Sequence, residues 1–271
     1  MNKIKNYFKR LFDIIKKPEM KVLPGQLAFF LFLSLVPIIT LVVYISFILS
    51  IGTDSVRVFV DKVFPADVSN ILVPYISDVG IDIHTIIFMI TGFLVASNGS
   101  NSLIVTSNVL YKIESKGYFK TLVKSLLMTI LLVILFVFII FVLAFGDKII
   151  NIITNINIFA NIKEEILIIY SILKWPIGIF IIFFIIKLLY TLAPSRKIKS
   201  KYMNRGAIFT TIMWVIVTII YSFYINNYAN YNLFYGSLAN IIIIMLWVYV
   251  LSFILVIGMA INNEYYIMDN N

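Results

Sequence analysis

Long apolar runs alternate with short polar connectors along nearly the whole chain, and the clearest lie between Gly206 and Asn262. There Ala207 to Tyr224 and Leu238 to Ile261 flank an uncharged connector, rich in Asn and Tyr, that ends in Tyr235, Gly236 and Ser237. A bilayer core takes about 20 apolar residues as helix, and backbone in lipid must bond within its own segment, so this pair predicts a transmembrane hairpin. Four further runs at about 27–51, 84–108, 123–145 and 166–192 join 207–224 and 238–261. The pattern therefore predicts an all-α, polytopic membrane helical bundle of six transmembrane helices over residues 23–262, followed by a short tail, 263–271.

Before the first span, Ile4, Tyr7, Phe8, Leu11, Phe12 and Ile15 recur at helical spacing among Lys3, Lys5, Lys9, Arg10, Lys16 and Lys17, and Pro18 stops the pattern. Residues 1–22 thus read as an N-terminal interfacial amphipathic helix on anionic lipid. No short apolar region followed by a small-residue cleavage site is evident, so the N-terminus reads as retained and cytoplasmic. Pro37 and Pro176 fall inside the first and fourth spans, where a proline removes a backbone bond and predicts a kink; Ser34 is placed to re-satisfy a freed carbonyl. Their matching positions, with three spans per half, also permit an inverted repeat.

Composition agrees with the pattern. The 271 residues are 61% hydrophobic and 13% charged, against roughly 45–50% apolar in soluble domains, and mean hydropathy is +1.01. A formal charge of +9 raises nucleic acid as a partner, but the 22 Lys and Arg sit between apolar runs, where they orient helices against an anionic cytoplasmic face. Seven precede the first span, four lie in the second turn (Lys112, Lys116, Lys120, Lys124), and six run from Lys187 to Arg205. The loops 52–82 and 146–165 hold only Arg57, Lys62, Lys148 and Lys163. Both termini inside a cytoplasmic membrane satisfies every loop. The partners this implies are membrane lipids, not nucleic acid. There is no Cys and one His, His84, which excludes thiolate chemistry, disulfides and multi-histidine metal centres, so no metal or cofactor is expected.

Two features carry candidate chemistry. The second span turns polar through Ser97, Asn98, Gly99, Ser100, Asn101 and Ser102, and on a helix Ser97, Asn101 and Asn108 share one side. They either bond to neighbouring helices or line a wet path. Lys174, followed by Trp175 and Pro176, is the one Lys well within an apolar run. It either snorkels to the outer boundary or faces the interior, where its charge suits an anionic lipid or solute and Asn98 and Asn101 are candidate partners.

Leu27 to Leu41, LAFFLFLSLVPIITL, resembles the first span of the YihY/BrkB family of bacterial inner-membrane proteins. The second half adds YTLAPSRK from Tyr190, containing Pro194, then RGAIFTTIMW from Arg205 to Trp214 with Gly206, then Tyr235-Gly236-Ser237, Leu246-Trp247 and Gly258. The family commonly ends its last span Gly-Ala-Glu-Leu-Asn; here the order is Gly258, Met259, Ala260, Ile261, Asn262, so Ala260 stands at the acidic position and Glu264 follows one turn later. The family has also carried a ribonuclease BN label. Metal-assisted phosphodiester hydrolysis needs clustered His or carboxylate ligands, and scattered inward acids such as Glu114 and Glu264 form no such cluster in the sequence. The expectation is therefore a non-enzymatic transporter or lipid-handling protein of the cell envelope, with a non-transporting scaffold or regulator as the alternative.

Overall fold

The computed structural model describes residues 13–48, 57, 83–114, 117–135, 163–227 and 239–270. Among these the fold is all-helical: α1 (Glu19–Ile48), α2 (Ile83–Leu110), α3 (Tyr118–Leu135), α4 (Lys163–Leu192), a 3-10 turn (Ser200–Met203), α5 (Asn204–Asn227) and α6 (Ala239–Asn270). Among the described residues three helical stretches, Tyr118–Leu135, Ser200–Ile225 and Ile241–Asp269, are long and apolar enough to cross a membrane. Their outer faces are apolar too, with Leu127, Ile134 and Ile219 each 60% exposed or more. Water would penalise so large an apolar surface; a bilayer does not.

The helix boundaries differ from the hydropathy pattern most at the start of α1 and the end of α6. α1 starts at Glu19, eight residues before Leu27, so the edge expected at residue 22 falls inside a helix. Met20, Leu23 and Leu27 are all buried on one face, and continuing the helix through Pro24 buries two additional apolar side chains for the loss of one backbone bond. Residues 1–12 of the expected interfacial helix lie outside the described residues; near its end Ile15, one of its expected apolar positions, is 40% exposed, while Ile14 is 1% exposed and packs into the core. At the other end α6 runs on to Asn270, so the short tail continues the last helix through residues 263–270.

α2 packs along α1. A Cβ on Gly99 would stand 2.7 Å from Ser34 Oγ, and one on Gly92 would touch Pro37. Ser34 Oγ donates to the Phe30 carbonyl at 2.6 Å and accepts from Gly99 N at 3.1 Å. It serves helix contact, therefore, and not the Leu33 carbonyl that Pro37 frees. α2 ends in a 6→1 and 5→2 bond pair, Ile113 N to Asn108 O and Lys112 N to Val109 O, with Lys112 at φ 51°. This Schellman arrangement satisfies the last carbonyls and fixes where Asn108 stands. α6 packs against both α1 and α5, and α5 against α4.

Candidate functional site

On α2 the side chains of Ser97, Ser100, Ser102, Thr106, Ser107 and Asn108 are all buried. Their partners separate them. Ser97 Oγ donates to its own helix at Leu94 O, 2.7 Å away. Thr129 on α3 donates to Ser125 O, so it accepts from Ser100 Oγ at 2.8 Å. Asn108 is used at both ends of its amide: Nδ2 donates to Ser195 Oγ and Oδ1 accepts from Ser195 N, each at 2.8 Å. These are the bonds between helices that polar side chains make in lipid. The hydroxyls of Ser102 and Thr106, by contrast, are buried without a partner, as is that of Ser252 on α6. Ser102 and Thr106 are one turn apart and share the side of α2 with Gly99, which meets α1.

This redistributes the residues expected to line a path. Asn98 is exposed, Asn101 is half-buried and Asn108 is locked to Ser195. Lys174 and Pro176 lie in α4, but the side chains of Lys174 and Trp175 lie outside the described residues, as does that of His84. Tyr235, Gly236 and Ser237 lie outside them entirely. Sequence reasoning named Ser102 only as part of the polar stretch and passed over Thr106 and Ser252; the available signal was the spacing of four between Ser102 and Thr106 on α2 and a lone hydroxyl in the long apolar run of α6.

A second cluster ties α4, α5 and α6 together. Gly206 and Gly258 meet so closely that a methyl on Gly206 would overlap the Gly258 carbonyl and the Asn262 amide, and one on Gly258 the hydroxyls of Thr210 and Tyr190. Tyr190 donates to Leu255 O at 2.8 Å and so accepts from Thr210, 2.6 Å away. Gly206 N donates to Asn262 Oδ1 at 2.7 Å. Trp214 Nε1 donates to Leu251 O at 3.0 Å. Ala260 is buried in the core one turn before Glu264, whose carboxylate lies 3.7 Å from Lys17. Small residues here let two backbones touch, the usual device of packed membrane helices.

The end of the bundle where α2 and α6 finish is held by polar bonds. Lys124 on α3 donates to the Ala193 and Pro194 carbonyls at 2.8 and 2.7 Å. Asn263 donates to Leu110 O at 2.8 Å. Asp269 accepts from Tyr202 at 2.6 Å and from Lys201 at 3.0 Å. Tyr202 stacks edge-on against Tyr266, and the Arg205 guanidinium lies 3.8 Å from the Tyr265 ring centre. Burial pushes the Tyr111 phenol well above its ordinary pKa, so it stays protonated and donates to Met203 Sδ. Among the described residues no three of His, Cys, Asp and Glu converge on a point that could hold a metal ion.

In comparison with known proteins, the family described as Virulence factor BrkB matches residues 11–270. The ribonuclease-like protein YfkH of Bacillus subtilis is 26% identical over 95% of this chain and 94% of its own length. A UPF0761 membrane protein of Idiomarina loihiensis is 32% identical over 33% of this chain and 32% of its own. One of Alteromonas mediterranea is 39% identical over 26% and 24%. No solved structure matches.

Proposed function

The chain belongs to the Virulence factor BrkB family of membrane proteins, and from that premise we propose that it moves or handles an anionic lipid or solute in the cell envelope. The observation that carries this reading is the unpaired pair of hydroxyls on α2, Ser102 and Thr106. Polar groups that only glue helices find partners, as Ser100 and Asn108 do; two buried hydroxyls one turn apart with none are unsatisfied in the described packing and gain bonds where water or a polar solute enters beside them. The scaffold alternative draws its support from those same paired residues. Six spans with both termini cytoplasmic complete the proposal, since the basic connectors then all fall inside. No hydrolytic chemistry is part of the proposal.

The natural absence of cysteine makes the test direct. Ser102→Cys and Thr106→Cys are expected to react with a small water-soluble thiol reagent in membranes, faster than Ser100→Cys, which faces α3. Equal inertness at all three positions overturns the path. In the same background Lys199→Cys is expected to label only from the cytoplasm and Asp67→Cys only from outside; labelling of position 199 from outside reverses the topology.

Lys174 supplies the positive charge in this proposal. Complementation at matched protein levels is expected to fail with Lys174→Met and to survive with Lys174→Arg. Full function of the Met variant removes Lys174 from the mechanism.

A further inference from the structure

We propose that α3 and the loop after α4 form a binding site for an anionic phospholipid, with the headgroup phosphate at a cluster of cations and the acyl chains on an apolar stripe. The inference rests on the membrane placement above and requires no transport.

The loop is rigid for stated reasons. Ser195 is bonded twice to Asn108, the Ala193 and Pro194 carbonyls hold the Lys124 ammonium, and Ile198 is buried. With Ile198 turned inward, Arg196, Lys197 and Lys199 are exposed, and none of the three forms an ion pair among the described residues. The segment from Lys187 to Arg205 carries no acid of its own, and Asp269 of α6, which reaches it at Lys201 and near Lys199, is no ion-pair partner of Arg196 or Lys197. Lys120 is exposed one turn before Lys124 on the same side of α3, which brings a fourth cation to the loop.

Directly beside these charges the outer face of α3 offers an apolar track. Val123, Leu127, Ile130 and Ile134 are 41%, 61%, 43% and 60% exposed, and their spacing of four, three and four residues places them in one line. Phe119, 74% exposed, continues that line to the cation end, next to Tyr118 at 83%. Nucleic acid or an acidic peptide would use the cations and leave the stripe bare. A phospholipid uses both, with aromatic rings at the boundary between headgroup and chain.

The test uses the full chain purified in a neutral detergent and titrated with phosphatidylglycerol or phosphatidylcholine, bound lipid being counted by native mass spectrometry. Phosphatidylglycerol is expected to bind in preference to phosphatidylcholine. Lys120→Gln, Arg196→Gln and Lys197→Gln are each expected to weaken it about fivefold, and the triple variant on the order of 100-fold, given the usual contribution of one cation at an anionic surface. Leu127→Gln is expected to weaken both lipids, which a site for free phosphate would not show, and millimolar inorganic phosphate is expected not to displace the lipid. Equal binding of the two lipids, an unchanged triple variant, or displacement by phosphate overturns the site. Should the triple variant fail to fold, Arg196→Gln alone decides, because its exposed side chain holds nothing in place.

Discussion

Gly206→Ala is expected to unfold the detergent-solubilised protein at a lower temperature than wild type, while Gly178→Ala is expected to raise the unfolding temperature. Both substitutions remove the same backbone entropy from the unfolded chain, which by itself favours the helix by roughly 0.5–1 kcal/mol. They differ in what the new methyl meets. At Gly178 there is nothing within 4 Å. At Gly206 the methyl collides with the Gly258 carbonyl, a backbone atom no rotamer can move, and with the Asn262 amide that accepts from Gly206 N. Overpacking of this kind costs roughly 1–3 kcal/mol or more, which outweighs the entropy gain and reverses the sign. Gly258→Ala is expected to behave likewise, because its methyl meets the hydroxyls of Thr210 and Tyr190 and disturbs the bond to Leu255. If Gly206→Ala melts at or above Gly178→Ala, the contact between α5 and α6 is looser than described.

The second large effect is at Asn108. Asn108→Ala removes both bonds to Ser195 and strands a buried N–H and hydroxyl, each worth roughly 1–3 kcal/mol when left unsatisfied. The expected loss is about 2–4 kcal/mol, together with faster hydrogen exchange in residues 193–199. Ser195→Ala removes the hydroxyl but keeps the N–H, so its loss is smaller. A double-mutant cycle on the two positions is expected to show coupling of about 1 kcal/mol or more; strictly additive losses would mean that the pair does not bond.

How much of this was legible in the sequence depends on how local each feature is. Helix content and approximate spans follow from apolar runs: both ends of α2 fall within two residues of the hydropathy edges, and α4 finishes at the expected Leu192. The start of α1 did not, because Pro24 reads as an entry signal and only the burial of Met20 and Leu23 against other helices makes a helix through it worthwhile. Ser34 illustrates a subtler miss. Its position three residues before Pro37 suggested local repair, yet its oxygen also accepts from Gly99, 65 residues away. Gly206 and Gly258 were singled out through resemblance alone; nothing in their local sequence announces that they touch each other.

By itself, then, the sequence determined that this is an all-helical membrane protein of the BrkB family, because length, hydropathy and motif order are properties of the chain that do not depend on its folding. It did not determine which side of each helix faces inward. In water a buried face is the apolar one, but here lipid outside and core inside are both apolar, so the helices are hydrophobic all round and the periodicity that would mark a face disappears. Only tertiary structure decided that Asn108 reaches Ser195, 87 residues on, while Asn98 turns outward and Ser102 and Thr106 are left without a partner. Hydrogen bonding supplies the orientation that hydropathy lacks in a bilayer, and its partners lie on other helices.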